Sequence, residues 1–146
     1  MKRISKNQII FGGNYFIKYL DNTPCFIVWD KDNSGNFADC ELAWTSFKTA
    51  TKKFTFRWNG MLQENMKNKE ERFHPTQKPV ALFQWILQKY SSPGTTIFDP
   101  FAGSGTTAIA CLETGRNYIL IEKEPDYVEI INKRIATWKE QGRMFA

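Results

Sequence analysis

Residues 97–107, IFDPFAGSGTT, decide the fold that this sequence predicts. A short apolar run ends at Asp99, a glycine-rich turn follows, and small residues continue beyond the turn. This order predicts a buried strand over 95–99 and a helix over 103–114, and the apolar stretch 118–122 predicts a second strand. Because a helix joins the two strands, we expect them to be parallel and to share one sheet.

The flanking segments complete an α/β pattern. Pro79 is placed to begin a helix, and Pro125 is placed to begin a last helix. The apolar stripe predicted for that last helix comprises Val128, Ile131, Ile135 and Trp138. In the first half of the chain, strands are predicted at 7–13, 24–31, 41–47 and 53–59, with a turn at 32–37 and a polar, mobile loop over 59–73. The second half is therefore helix–strand–helix–strand–helix.

Composition sets broad limits. A chain of 146 residues predicts one domain spanning 1–146, and an apolar content of 42% argues against disorder. Three cysteines form no CxxC pair and only one histidine is present, so we expect buried or half-buried thiols in a reducing cytoplasm and no metal site. No apolar run reaches the ~18 residues of a membrane span, and the N-terminal stretch lacks a signal-peptide core. The net charge of +5 suits a polyanionic partner.

Two acids at the strand ends suggest the chemistry of a ligand. The glycines allow close approach of the backbone, and the helix that follows presents unpaired N–H groups. Glu122 follows Asp99 by roughly 20 residues, a spacing at which an acid commonly holds a ribose diol. An anion at Asp99 repels a pyrophosphate but attracts an ammonium group. A ligand with an amino acid at one end and a ribose at the other is S-adenosylmethionine. The alternative is a plain α/β turn without a ligand.

Longer motifs point to a family. The stretch DPFAGSGTT at 99–107, preceded by HPTQKPVALFQWIL at 74–87, resembles the amino-group DNA methyltransferases, which make N6-methyladenine or N4-methylcytosine. Further stretches are similar to phage and bacterial members: GGNYF at 12–16, WDK at 29–31 and ELAWTSF at 41–47. The resemblance covers nearly the whole chain and implies the permuted arrangement, in which the catalytic half precedes the cofactor half.

The resemblance implies a fold as well. We expect an α/β, Rossmann-like methyltransferase fold that uses S-adenosylmethionine, with a mixed, mostly parallel sheet that is incomplete on its N-terminal, catalytic-strand side. Residues 1–73 would be the remnant of the catalytic, target-facing half. Residues 74–146 would be the cofactor-binding half.

Site residues follow from the same resemblance. Those implied to border the methionine end of the cofactor are Asp99, Pro100, Phe101, Gly103, Gly105 and Thr106. Glu122 would take the ribose hydroxyls. The loop residues implied to close over the carboxylate side are His74, Thr76, Gln77 and Lys78. Interpretations without a ligand stay open for two of them: His74 could be a solvated loop residue, and Lys78 could be an exposed residue at a helix start.

Basic residues in the first half suggest DNA contact. Lys52, Lys53 and Arg57 would suit phosphate groups, although ordinary solvated strands carry similar charges. The aromatic residues Phe54, Phe56 and Trp58 are expected in the core rather than as a base-stacking platform.

The catalytic signature of the family is missing. It is an acidic or polar residue followed by Pro-Pro-aromatic, as in DPPY, and it accepts hydrogen bonds from the amine of a flipped-out base. The sequence contains no Pro-Pro pair. The nearest stretches are DNTPCF at 21–26, DPF at 99–101 and EPDY at 124–127, and none of them matches. We therefore assign no catalytic residue and expect this chain alone not to methylate DNA.

The resemblance also implies a missing strand. In relatives the DPPY strand lies between the strand matching 95–99 and the strand matching 7–12. Without it, those two strands could pair directly, a partner chain could fill the gap, or copies could associate; we favour self-association. The predicted function is a site-specific DNA methyltransferase (adenine-N6 or cytosine-N4) in a truncated or split form. The alternative is a non-catalytic S-adenosylmethionine- or DNA-binding module that needs a partner chain carrying DPPY.

Overall fold

The chain divides into two compact units, Met1–Lys69 and Glu70–Ala146. A computed structural model describes residues 3–33, 38–59 and 62–144. Most of the turn predicted at 32–37 lies outside these described residues. The single-domain organisation, with halves 1–73 and 74–146, stays a prediction.

A four-stranded mixed sheet forms the centre of the first unit. Its strands are β1 (Ile9–Phe11), β2 (Phe26–Asp30), β3 (Cys40–Thr45) and β4 (Lys52–Thr55), in the order β1-β3-β2-β4. β3 pairs antiparallel with both β1 and β2, whereas β4 pairs parallel with β2. Two short 3-10 helices, Gly13–Tyr15 and Ile17–Tyr19, follow β1. The predicted strands at 7–13, 24–31 and 41–47 are therefore confirmed, with shorter bounds.

Alternation of side chains along β2 builds the core of this unit. Ile27 and Trp29 lie on the buried face with 0% and 1% exposure, and Cys25 and Ala43 are also fully buried. The Trp29 indole donates a hydrogen bond to the carbonyl of Phe56 at 3.0 Å, so its one polar atom is satisfied.

The segment predicted as one strand over 53–59 is divided in the structure. After β4, a second strand, β5 (Trp58–Asn59), pairs antiparallel with β6 (Leu62–Gln63), inside the region predicted as a loop. Trp58 is buried, and the half-buried rings of Phe54 and Phe56 stack at 5.7 Å. The expected core position of these aromatic residues is confirmed for Trp58 and partly for the other two.

Helices and strands alternate in the second unit as predicted. In chain order they are α1 (Val80–Tyr90), β7 (Thr96–Asp99), α2 (Thr106–Thr114), β8 (Asn117–Leu120) and α3 (Pro125–Met144). β7 and β8 are parallel, with Thr96 opposite Asn117 and Asp99 opposite Leu120. The strand–turn–helix–strand unit is therefore confirmed.

Two helices begin later than the sequence predicts. Gly103 and Gly105 have φ angles of 53° and 80°, in the left-handed region, so a right-handed helix cannot include them and α2 begins at Thr106. Pro79 is extended, with ψ at 144°, and α1 begins at the next residue. The glycine turn is thus longer than expected, which leaves more backbone outside the helix.

Packing of α1 on α2 forms the core of the second unit. Leu87, Ala110 and Cys111 are buried there, and Ile97 and Tyr118 bring the two strands against them. The stripe predicted on α3 is partly wrong, because Ile131 is buried but Val128 is 38% exposed. Cys111 and Cys25 are buried free thiols, whereas Cys40 is exposed at the start of β3, which corrects the expectation of three covered cysteines.

Both edges of the second unit's sheet are open among the described strands, because β7 and β8 are hydrogen-bonded only to each other. Ile119 in β8 and Ile121 just after it are 55% and 53% exposed. The sheet of the first unit is mixed and that of the second is incomplete, as expected. The expectation of mostly parallel strands is wrong, because three of the five described strand pairs are antiparallel. No helix in the described part of the chain is long and apolar enough to cross a membrane.

Candidate functional site

Asp99 ends β7 with its carboxylate held by two donors. The backbone N–H of Phe101 donates to Oδ1 at 3.0 Å, and the hydroxyl of Thr107 donates to Oδ2 at 2.5 Å. Thr107 is 3% exposed and lies in the first turn of α2, so the helix itself fixes the rotamer of the acid. Each carboxylate oxygen keeps a further lone pair that a ligand donor can use.

The glycine turn combines a closed side with an open side. A Cβ on Gly105 would lie 2.9 Å from Cγ1 of Ile131, so α3 packs tightly against the turn at this point. A Cβ on Gly103 would meet nothing within 4 Å. The backbone at Gly103 therefore faces open space, as a close-approach ligand site requires.

Glu122 follows β8 and folds back onto the turn. Its Oε2 accepts the N–H of Gly103 at 2.7 Å, and its Oε1 accepts the N–H groups of Lys123 and Glu124 at 2.7 and 3.0 Å. These bonds, that of Glu124 first, hold the pKa of the Glu122 carboxyl below its usual value, with a smaller contribution from nearby His74. Of about four acceptor positions on a carboxylate, one is left for another donor.

The loop containing His74 lies beside this acid. Nδ1 of His74 accepts the N–H and the hydroxyl of Thr76 at 3.1 and 2.9 Å, so a neutral ring carries its proton on Nε2. The ring packs against Tyr127 at a centroid distance of 4.7 Å. Nε2–H has no hydrogen-bond partner among the described residues and is a donor available to a ligand.

Gln77 is buried, with 6% exposure, and its amide is fully used within the protein. Nε2 donates to Oε1 of Glu70 and to the carbonyl of Glu71, both at 2.9 Å. Oε1 accepts the N–H of Phe73 and the hydroxyl of Ser104 at 3.0 and 2.8 Å. The expectation that this side chain contacts a ligand directly is not supported by this geometry.

A half-buried ion pair adjoins Gln77. Nη2 of Arg134, on α3, lies 3.3 Å from Oε1 of Glu70. Oε2 of Glu70 accepts the N–H of Val80 and so caps α1. Burial raises the pKa of Glu70, against the opposing effects of Val80 and Arg134, and burial lowers the pKa of Arg134.

The other implied residues occupy varied positions. Phe101 is 79% exposed, and Pro100 is half-buried in the turn. Thr106 is buried and donates to the carbonyl of Lys78 at 3.3 Å, which ties the loop to the start of α2. The structure thus brings the loop 74–78, the turn 99–106 and Glu122 together within one unit.

A cavity of about 670 Å³ also occurs in this unit, but it is not the predicted site. Its lining includes Phe73, Ile109, Glu113, Arg134 and Trp138, and neither Asp99 nor Glu122.

The basic residues of the first unit are partly neutralised. Nζ of Lys53 lies 3.1 Å from Oδ2 of Asp30, and Arg57 pairs with Asp32. Of the three predicted DNA contacts, Lys52 alone has no ion pair among the described residues.

Sequence reasoning missed four residues of this site. Thr107 and Tyr127 had local signals, as the second threonine of the glycine motif and the aromatic residue of EPDY. Glu70 and Arg134 had none, because their pairing joins positions 64 residues apart.

Residues 18–133 match the family model N6_N4_Mtase, described as DNA methylase. This match spans most of both units. The chain therefore belongs to the N6/N4 DNA methylase family, and the family resemblance inferred from its motifs is confirmed.

Individual relatives agree with this assignment. The type II methyltransferase M.HinfI of Haemophilus influenzae is 30% identical over 75% of this chain, and the chain spans only 38% of that relative's length. The crystal structure of the M1.HpyAVI–SAM complex is 31% identical, with a TM-score of 0.62, over 88% of this chain and 74% of that one. The cytosine-N4-specific PvuII DNA methyltransferase is 17% identical, with a TM-score of 0.57 over 73% of this chain and 49% of its own. At this identity the similarity supports the fold alone.

Proposed function

We propose that this chain binds S-adenosylmethionine at the glycine turn and serves methyl transfer to an exocyclic amino group of adenine or cytosine in DNA. The observation that carries the proposal is the convergence of Asp99, Gly103 and Glu122 around open space. The similarity to M1.HpyAVI, whose structure contains SAM, supports it.

The residues present fit the charges of this cofactor. The Asp99 carboxylate suits an ammonium group, and the remaining acceptor position on Glu122 suits a ribose hydroxyl. Gly103 allows the backbone to approach closely, and Nε2–H of His74 is a donor for an anionic group. When bound, the cofactor supplies an electrophilic methyl group. The chain's own contribution is to hold and orient it, which lowers the entropic barrier to an in-line transfer.

The family signature that holds the amine of a target base does not occur in this sequence, which has no Pro-Pro pair. We therefore propose that methylation requires a segment carrying the DPPY signature, in a truncated or split arrangement. The second candidate, a non-catalytic binding module, rests on the same observation. A labelled-methyl transfer assay on unmodified DNA, with and without a chain carrying that segment, separates the two candidates.

DNA and a cytoplasmic location belong to the proposal as well. The family match and the similarity to M.HinfI support DNA as the partner of the complete protein. The buried free thiols of Cys25 and Cys111 suit a reducing compartment.

Calorimetric titration with S-adenosylmethionine tests the proposed site. Replacing Asp99 or Glu122 by Ala removes hydrogen bonds to charged groups, each worth roughly 1.5–3 kcal/mol, so we expect affinity to fall about ten- to a hundredfold. Glu129→Ala, an exposed acid on α3, is the matched control and should bind as the unchanged chain does. The proposal is wrong if the unchanged chain shows no binding at millimolar ligand.

A further inference from the structure

We infer that Arg134 is a positioning residue, which acts with Glu70 and Gln77 to fix the glycine turn and the His74 loop before any ligand arrives. This inference rests on the proposed function, because it assigns the means by which the S-adenosylmethionine site is shaped. None of the three residues is needed as a direct contact with the cofactor.

Arg134 reaches from α3 to the centre of the turn. Nη1 donates to the carbonyl of Ser104 at 2.7 Å, and Nη2 lies 3.3 Å from Glu70. Its guanidinium stacks on the ring of Phe73 at 5.2 Å, and the side chain is only 11% exposed. A planar group held on three sides cannot shift without moving the Ser104 carbonyl.

Glu70 must be a carboxylate for this arrangement to hold. Its two oxygens face three donors, the N–H of Val80, Nε2 of Gln77 and Nη2 of Arg134. An amide at position 70 would turn its own NH₂ group toward one of these donors. The acid therefore joins the start of α1 to the residue that holds the turn.

Gln77 closes the network. Its Oε1 accepts both the N–H of Phe73 and the hydroxyl of Ser104. The loop and the turn are consequently linked twice, through Gln77 and through Arg134. A buried network in which every member is satisfied holds a single arrangement.

The position of Ser104 explains why the network would matter for binding. It lies between Gly103 and Gly105, whose left-handed conformations direct the backbone toward open space. Glycines have few steric limits, so their φ and ψ angles are set from outside. Release of the Ser104 carbonyl would let both glycines sample other conformations, and the site would then lose its preorganised shape.

The test uses three variants and one control on the full chain. Arg134→Ala removes all contacts of the guanidinium, and Arg134→Lys keeps the charge but on a single nitrogen without the planar fork. Ser104→Ala removes the hydroxyl, which donates to Gln77 and accepts from Nη1 of Arg134 at 3.4 Å, but leaves the Ser104 carbonyl in place. Lys133→Ala is the control, an exposed cation on the same helix. Two quantities are measured for each: hydrogen exchange at the amides of Gly103 and Gly105, and affinity for S-adenosylmethionine.

We expect Arg134→Ala to speed exchange at both glycine amides while the amide of Ala43, in β3 of the other unit, is unchanged. Affinity should fall about ten- to a hundredfold, because hydrogen bonds to a charged group are lost. Arg134→Lys should recover part of both effects, and Lys133→Ala should match the unchanged chain. If Arg134→Ala fails to fold, the same comparison is made with Arg134→Lys and Ser104→Ala.

Folded Arg134 variants with unaltered glycine exchange and unaltered affinity would overturn the inference. If the unchanged chain does not bind S-adenosylmethionine, the proposed function fails. The exchange data then decide the positioning role alone: faster exchange of the two glycine amides supports it, and unaltered exchange overturns it.

Discussion

At the scale of single residues, Gly105 is required for two separate reasons. Its φ angle of 80° is strained for any other residue, and its missing side chain leaves room for Ile131. Gly94 has almost the same φ angle, 81°, but open space around it. A substitution at Gly94 therefore introduces backbone strain alone, whereas a substitution at Gly105 introduces the same strain together with steric overlap.

We expect Gly105→Ala to destabilise the protein more than Gly94→Ala. The left-handed conformation costs roughly 1–2 kcal/mol in each variant, and overpacking against Ile131 adds about 1–3 kcal/mol in the first. Urea unfolding of both variants measures the difference. If both variants lose the same free energy of unfolding, Ile131 moves aside without cost, and its contact with Gly105 does not restrict the turn.

At the scale of elements, β2 and β4 place acids and bases together. The two strands are parallel, so Asp30 at the end of β2 lies beside Thr55 at the end of β4, and Lys53 reaches the same carboxylate. The donated hydrogen bond from Asp32 N–H and the bond from Lys53 hold the pKa of Asp30 below its usual value. Such pairing leaves less positive charge on this strand than the sequence alone suggests.

Salt-dependent DNA binding is the prediction that belongs to this element. Binding through Lys52, Lys53 and Arg57 should weaken steeply as salt rises, by a slope of roughly 0.9 per phosphate contact on logarithmic axes. Because Lys53 is already paired with Asp30, Lys52→Glu should weaken binding more than Lys53→Glu. Fluorescence anisotropy at several salt concentrations measures both effects.

Lys139→Glu, on α3, makes the same change in net charge elsewhere and serves as the control. Affinity that does not vary with salt, or that falls equally in the control, would refute a role for the basic strand.

At the scale of the whole molecule, uncovered apolar surface predicts self-association. In the second unit, β7 offers an open edge, and Ile119 and Ile121 are more than half exposed. In the first unit, Tyr15 and Tyr19 are 83% and 76% exposed. Native sheets avoid unprotected edges, and large exposed apolar patches mark interaction surfaces.

Light scattering at several concentrations tests this prediction. We expect a mass that rises toward that of a dimer, the commonest symmetric assembly, as concentration increases. The double variant Ile119→Lys and Ile121→Lys should shift the equilibrium toward single chains, because charges at an exposed strand oppose pairing. A sharp mass equal to one chain at every concentration would contradict the prediction.

The sequence by itself determined the second unit's order of elements, its parallel strand pair and the acids that end the strands. Those features depend on neighbouring residues: apolar runs form strands, Gly115 stops a helix, and a glycine motif between two strands forms a turn. The family motifs likewise lie in continuous stretches. Local chemistry was sufficient to predict that Asp99 ends a strand and that Glu122 lies close to the end of the next one. It was not sufficient for Gly103, which lies in the turn and not in the predicted helix.

Only the tertiary structure decided how those residues are held. Glu70 meets Arg134 across 64 residues, Gln77 turns inward, and Lys53 is neutralised by Asp30. Each outcome depends on which helix or strand packs beside another, and no local pattern encodes the distance between remote side chains. For the same reason the exposure of Val128 and Cys40 was not predicted: burial is a property of the neighbours that packing brings, not of the residue type.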